Sequence, residues 1–334
     1  MVYVIGEMAC AHDGNIAYAK VIIDAVGQSG ADAVQLQIWK RSNIVIDKHN
    51  DTEILDSVEL SNEEWSDLVS YIRTNFPKLE IIACVYDEVA AAFAYSLNVN
   101  AFKIHASDLA SPNLLKFVAA YGKRMDLSVG GATIDEITEA LEWIREANNT
   151  DIWLMFGKQL FPTKPEDANI IQAKTLQAVF GLPVGYQDHS PGSSPEAFNL
   201  PVAAIGSGIK IIEKHITHNR DLKGVDYQAS LNPSEFVKFV AELRTVDMAL
   251  GSPFIEKLSA AELQYRKYSR KSIVYAKSLT MGHVLEEDDL VCKRANGLGL
   301  PPKALKSFIG CVLKTDVNKD DLVIGDAVAM RVSQ

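Results

Sequence analysis

The sequence predicts an α/β protein, a (β/α)8 barrel followed by a small, mostly β module. Three observations predict it. Short apolar β-type runs alternate with longer stretches of helical periodicity through the first three-quarters of the 334 residues. Eight such strand–helix units fit in about 250 residues, the usual length of that barrel. Near residue 250 the alternation stops and short strands and turns replace it.

The strands expected are Tyr3–Met8, Ala33–Trp39, Glu80–Val85, Ala101–Ile104, Met125–Val129, Ile152–Phe156, Pro183–Gln187 and Ile209–His215. Helical patterns lie between them at Ile16–Gln28, Asn62–Asn75, Glu88–Leu97, Asn113–Tyr121, Ile134–Ala147, Asn169–Phe180 and Pro195–Ile205, with a last one at Pro233–Leu250. Their starts carry recognisable signals. Ser61 with Glu64 reads as a capping box, and Ser111-Pro112, Ser194-Pro195 and Asn232-Pro233 put proline near the first helical position. An open doubly wound sheet is the competing arrangement, but it usually shows a glycine-rich phosphate fingerprint after its first strand. Here that strand runs into Glu7-Met8-Ala9-Cys10-Ala11-His12-Asp13-Gly14, with no GxGxxG.

The barrel is expected over residues 1–250, an arm with a charged helix at Glu256–Lys267 over 251–270, and the β module over 271–334. Its strands are expected at Ser272–Ala276, Val291–Arg294, Asn296–Gly299, Val312–Val317 and Ala327–Val332. A module of about 65 residues is small for independent stability.

With 48% hydrophobic and 23% charged residues, the chain has ample material for a core, which excludes disordered, collagen-like and disulfide-scaffold classes. Asp and Glu number 43 against 33 Lys and Arg, a net charge of −10 that argues against nonspecific nucleic-acid binding. Cys10, Cys84, Cys292 and Cys311 form no CxxC pair and suit reduced thiols. No apolar stretch approaches the ~20 residues of a membrane span, so a cytoplasmic location is expected.

Barrel chemistry sits at the C-terminal strand ends. Those positions hold Glu7 and His12, Gln35 and Gln37, Lys103, His105 and Asp108, Ser128, Lys158 and Gln159, Gln187-Asp188-His189 and Glu213-Lys214-His215. A lone Gln or Ser in a strand is more often a satisfied core group, and Lys214 would be explained by facing a helix. His189 and His215 end consecutive strands, so a closed barrel puts them on adjacent staves, where two neutral imidazoles suit a divalent ion. Two unrelated rim histidines are the alternative. Asp188 and Glu213 are candidates to orient the rings or to hold charge. Lys103 and Lys158, with Lys40 or Arg41 if these are not simply solvated, suit phosphate or carboxylate.

The segments resemble the sialic acid synthases. The likeness rests on Glu7…His12-Asp13-Gly14-Asn15, Gly30-Ala31-Asp32-Ala33-Val34-Gln35-Leu36-Gln37 and Phe161-Pro162-Thr163…Glu166-Asp167. It continues through Gly185-Tyr186-Gln187-Asp188-His189-Ser190, Ile212-Glu213-Lys214-His215-Ile216-Thr217 and Gly224-Val225-Asp226…Ser230-Leu231-Asn232-Pro233. Lys293-Arg294-Ala295-Asn296-Gly297-Leu298-Gly299 and Ile309-Gly310 resemble the antifreeze-like (SAF) domain that ends those enzymes.

The resemblance implies a metal-dependent condensation of phosphoenolpyruvate with an N-acylated aldose, giving a nonulosonic acid and phosphate. It implies His189 and His215 as ligands of a divalent metal, usually manganese, with magnesium or cobalt as alternatives. Glu7, Gln37 and Asp226 match residues around the sugar, where a carboxyl such as Glu7 suits a proton handler or a hydroxyl anchor near the aldehyde oxygen. Lys103 and Ser128 match part of the phosphoenolpyruvate cradle. Arg294 matches an arginine that reaches a partner's barrel mouth, which implies a domain-swapped homodimer.

The departures from the family pattern cluster in that cradle. Gln35 stands where the family carries lysine, His105-Ala106 where it has Gly-Ser, and Val129-Gly130-Gly131 where it has Thr-Gly-Met. Gln159-Leu160-Phe161 replaces Asn-x-Tyr, and Gln187 replaces serine before Asp188-His189. A lost charge-assisted phosphate contact costs ~1.5–3 kcal/mol; Lys158 and His105 are the candidates to make it good. Three functions follow: a divergent synthase using phosphoenolpyruvate, an aldolase-like enzyme with another donor or acceptor, or a non-catalytic sugar-binding or regulatory relative.

Overall fold

A computed structural model describes residues 1–255 and 257–329. They divide into two compact units, Met1–Gly251 and the residues from Ser252 onward.

The first unit is a closed barrel of eight parallel strands: β1 Tyr3–Glu7, β2 Ala33–Ile38, β3 Glu80–Val85, β4 Ala101–Ile104, β5 Arg124–Ser128, β6 Ile152–Phe156, β7 Val184–Asp188 and β8 Ile211–His215. Glu7 of β1 pairs with Gln35 of β2 on one side and with His215 of β8 on the other, which closes the ring. All eight expected barrel strands form, with ends shifted by at most a residue or two, as strand ends commonly are. The capping box at Ser61 and Glu64 is present, and Pro112 and Pro233 open their helices. Two short helices that periodicity does not reveal, Arg41–Ile44 and Thr52–Val58, break the long connection after β2. The expected helix from Asn169 begins at Ile171 instead, behind a separate turn at Pro165–Ala168, because Asn169 adopts a left-handed φ of 45°.

Side chains of each strand alternate between the barrel interior and the helical shell. Ile5, Ala33, Ile82, Ala101, Met155 and Ile211 form an apolar interior layer. At the N-terminal end Arg124 packs against the rings of Tyr3 and Trp153, with its guanidinium on Asp126 and Glu80. This plug is stabilising structure, as that face of a barrel usually is. The interior layer above Ile5 and its neighbours is polar, and it opens at the C-terminal face.

The second unit pairs β9 Lys271–Tyr275 with β10 Leu290–Arg294, antiparallel, around a core that includes Ile273, Tyr275, Leu285 and Val323. Its helix runs from Ala260 to Ser269, capped by Ser259 and Glu262, not from Glu256 to Lys267. Asn296–Gly299 is a loop and not a strand, because Asn296, Gly297 and Gly299 all have positive φ. Val312–Leu313 pairs with Val328–Ala329, and single antiparallel bridges join Leu279 to Val317, Val284 to Val312 and Val274 to Leu322; part of the expected strand Ala327–Val332 lies outside the described residues. No helix of the described residues is long and apolar enough to cross a membrane.

Candidate active site

The polar interior layer opens into a cavity of about 350 Å³ at the C-terminal mouth of the barrel. Strand parity decides what faces it. Glu7 shares the inward face of Ile5, Gln35 and Gln37 that of Ala33, Lys103 that of Ala101, and Glu213 with His215 that of Ile211.

Two buried carboxylates organise the floor. Glu7 accepts from the side-chain amide of Gln35, from Gln37 Nε2 at 3.1 Å and from the Ala9 amide at 2.7 Å. Glu213 accepts from Lys103 Nζ at 2.6 Å and from Gln187 Nε2 at 2.9 Å. Ser128 Oγ donates to Gln187 Oε1 at 3.0 Å and accepts from Gln159 Nε2 at 3.1 Å, which extends the network to β5 and the end of β6. Gln35 Oε1 is buried without a partner, so the floor retains an acceptor for a substrate hydroxyl or a water.

His189 and His215 stand over this floor with ring centroids 5.2 Å apart. His189 Nδ1 donates to the Lys158 carbonyl at 2.7 Å, which leaves Nε2 free to act as a ligand. His215 Nδ1 is buried and unpartnered. Burial, aided at His215 by its cationic and imidazole neighbours, holds both rings below the ordinary histidine range and hence neutral. Two neutral imidazoles with unused nitrogens fit a divalent ion. No group of three or more His, Cys, Asp or Glu converges among the described residues, so a bound ion would keep positions for water and substrate. Phe161 packs against both rings, at centroid distances of 4.3 and 5.5 Å.

The cavity is rich in acid. Glu7, Asp51, Glu213 and Asp226 line it, and Lys103 is the one lysine or arginine among the lining residues. Burial, with Glu213 nearby, raises the Glu7 carboxyl well above the usual range, against the opposing pull of Lys103 and of the donors from Ala9 and Gln37. Burial also pushes Asp226 up to about 6. Desolvation pulls Lys103 down, but the charge and hydrogen bond of Glu213, with Glu7 and Asp126, more than restore it. Burial and the Lys103 charge bring His105 down to about 4, so it offers no cation.

Of the residues singled out in the sequence, Glu7, Gln35, Gln37, Lys103, His105, Gln159, Gln187, His189, His215 and Asp226 line this cavity, and Ser128 sits in its hydrogen-bond network. Lys158 does not reach it. It shares the outward parity of Phe156, lies over that ring at 5.8 Å and contacts Gln172 at 3.4 Å in a separate cleft; only its carbonyl serves the site. Asp188 orients no imidazole, because it faces the shell and binds Lys214 at 2.6 Å. Lys40 and Arg41 are held by Glu59, Asp47 and Asp56. Arg294 lies in the second unit, exposed at the end of β10. Sequence reasoning missed Asp51 and Leu55, on a helix-loop without clear periodicity, and the wall formed by Cys84 and Tyr86. Parity with Ile82 would have found Cys84.

Comparison with known proteins agrees with this architecture. The NeuB family matches residues 22–254, and the SAF domain matches 270–329. The N,N'-diacetyllegionaminic acid synthase of Legionella pneumophila is 29% identical over 95% of this chain and 91% of its own. The N-acetylneuraminate-9-phosphate synthase of Mus musculus is 28% identical, covering 98% and 92% respectively. An uncharacterised protein of Methanocaldococcus jannaschii is 33% identical over 97% of this chain and 94% of its own. The crystal structure of the sialic acid synthetase of Leptospira borgpetersenii superposes with a TM-score of 0.72 at 27% identity, covering 79% of this chain and 91% of that one. The chain belongs to the NeuB family, as a barrel of that family followed by a SAF domain.

Proposed function

We propose that this protein condenses phosphoenolpyruvate with an N-acyl aldose to give a 3-deoxy-2-keto sugar acid of the nonulosonic type and inorganic phosphate. The observation that carries the reading is the pair of neutral imidazoles, His189 and His215, set over a hydrogen-bonded floor built on the buried Glu7 and Glu213 carboxyls. Relatives named as synthases of such acids match along nearly the whole chain.

In the reaction, C3 of the enol forms a bond to the aldehyde carbon of the open-chain sugar. The aldehyde oxygen takes a proton and becomes a hydroxyl. Water adds to the electron-poor C2, and phosphate leaves with the oxygen that bridged it to C2, so a keto group remains. Glu7 is the group to deliver the proton, because burial raises its carboxyl well above the usual range and so favours the protonated form. Gln37 and Asp226 take sugar hydroxyls, while Lys103, Ser128, Gln159, Gln187 and Gln35 hold the three-carbon donor. His189 and His215 would hold a divalent ion, manganese first and magnesium or cobalt otherwise, that polarises the aldehyde as a Lewis acid. The cation short of the donor phosphate is Arg294 of the partner subunit, supplied in a domain-swapped homodimer. The reading places the enzyme in the cytoplasm.

A second reading has specific support. Four carboxyl-bearing residues face the cavity, and Lys103 is already neutralised by Glu213. Such a lining favours a less anionic donor, such as pyruvate adding to the same acceptor in an aldol reaction. Purified protein with manganese and a panel of N-acyl aldoses, given either donor, separates the two. Aldose-dependent phosphate release from phosphoenolpyruvate, lost in His189→Ala and His215→Ala, is expected. Acceptor consumption with pyruvate alone favours the second reading, and turnover with neither donor overturns both.

A further inference from the structure

The charge of the chain is unevenly divided. Residues 1–251 carry 33 acidic against 20 basic residues, whereas residues 252–334 carry 10 acidic against 13 basic. Much of that excess borders one cavity of about 570 Å³ in the second unit. Arg266, Lys267 and Arg270 come to it from the last turns of helix Ala260–Ser269, Lys271 from the start of β9, and Lys303 from the turn after Pro302. No Asp or Glu lines it. None of the five cations is in an ion pair among the described residues; the pairs of this unit lie elsewhere, Lys277 and His283 on Asp289 and Lys293 on Asp320.

The cavity is built by close approach. Gly297, at φ 79°, presses on the helix so tightly that a Cβ would lie 2.7 Å from the Lys267 carbonyl oxygen. Ser272 Oγ fixes the same loop by donating to the Leu298 carbonyl at 2.5 Å. Leu263, Pro301 and Pro302 supply an apolar wall beside the cations.

We propose that this cavity binds an organic polyphosphate, of which a nucleoside triphosphate is the model. Five cations from three segments, unneutralised by the protein, suit a chain of phosphates, and the two arginines add bidentate geometry. The leucine and the two prolines add apolar lining of the kind the organic part of a ligand covers. The second unit alone supplies every residue that lines this cavity.

The test is titration of the full-length protein with ATP and with inorganic tripolyphosphate at low salt, in the absence of divalent ions. Saturable binding of one ATP per chain, tighter than tripolyphosphate and weakening as salt rises, is expected. Arg270→Gln with Lys303→Gln should weaken it by about tenfold or more. Lys158→Met, in the barrel unit, should leave it unchanged. Gly297→Ala provides a second disruption that removes no charge. Unsaturable binding, or equal affinity in the charge-neutralised variant and the wild type, overturns the proposal. Tripolyphosphate binding as tightly as ATP overturns the role of the apolar wall. If the double variant changes the sedimentation of the protein while ATP never binds, the cations serve contact between copies and the ligand site is refuted.

Discussion

Replacing Lys103 with methionine isolates the ion pair on the floor of the barrel cavity. Lys103 Nζ lies 2.6 Å from Glu213 Oε2, and the two side chains are only 2% and 3% exposed. At an effective dielectric constant of about 20, the attraction across that gap is roughly 6 kcal/mol, set against a desolvation cost of similar size. Removing one partner abandons the attraction and leaves the other charge buried, which costs about 3–5 kcal/mol. Gln187 remains as the donor to Glu213 but carries no charge. All four tryptophans, Trp39, Trp65, Trp143 and Trp153, lie in the barrel unit, so fluorescence during urea unfolding follows that unit alone. With a slope of about 2–3 kcal/mol per molar, the Lys103→Met midpoint should fall by about 1–2 M. Lys103→Met with Glu213→Gln removes both charges and should regain more than half of the loss. A single variant within about 0.5 M of the wild type, or a double variant no more stable than the single one, refutes the argument that the pair is charged and desolvated.

Other consequences are as specific. Lys158→Met should leave kcat and KM within about threefold of the wild type, because the ammonium faces away from the cavity, whereas Gln159→Ala should cost about tenfold in kcat/KM. Lys214 and Asp188 are a wholly buried pair in the shell; Lys214→Met should lower stability by about 3–5 kcal/mol in chemical denaturation, and Asp188→Asn added to it should recover part. Asp226 has a folded pKa of about 6, raised from 3.8 by burial. Between those values the native state keeps a proton that the unfolded chain has lost, so this group makes stability fall as pH rises from about 4 to 6. Asp226→Asn should therefore gain on the wild type across that window and hold a level difference above it, measured by urea unfolding at a series of pH values.

The barrel was legible because eight runs of β-type residues alternate with helical periods, and a parallel barrel needs little else. Much of the site was legible for the same reason: Glu7, Gln37, Lys103, Gln187 and His215 lie an even number of residues from apolar interior positions or at strand ends. The errors came from not carrying that parity through. Lys158 follows Phe156 outward, and Asp188 follows Tyr186 outward onto Lys214. Asp51 and Leu55 escaped because they reach the cavity from a long connection whose short helices lack a sustained period. In the second unit, Asn296–Gly299 reads as β-type text, but its positive φ values belong to a loop pressed against a helix. The ion pairing of Glu213 with Lys103 depends on two strands that are distant in sequence and meet only across the barrel interior.

The most direct measurement is the mass of the product formed from fully ¹³C-labelled phosphoenolpyruvate and the most active N-acyl aldose. The account predicts one new species in which all three labelled carbons are joined to the acceptor as a 2-keto acid, with one phosphate released for each. Phosphate release with the acceptor unchanged, or incorporation of the three carbons with phosphate still attached, would contradict it.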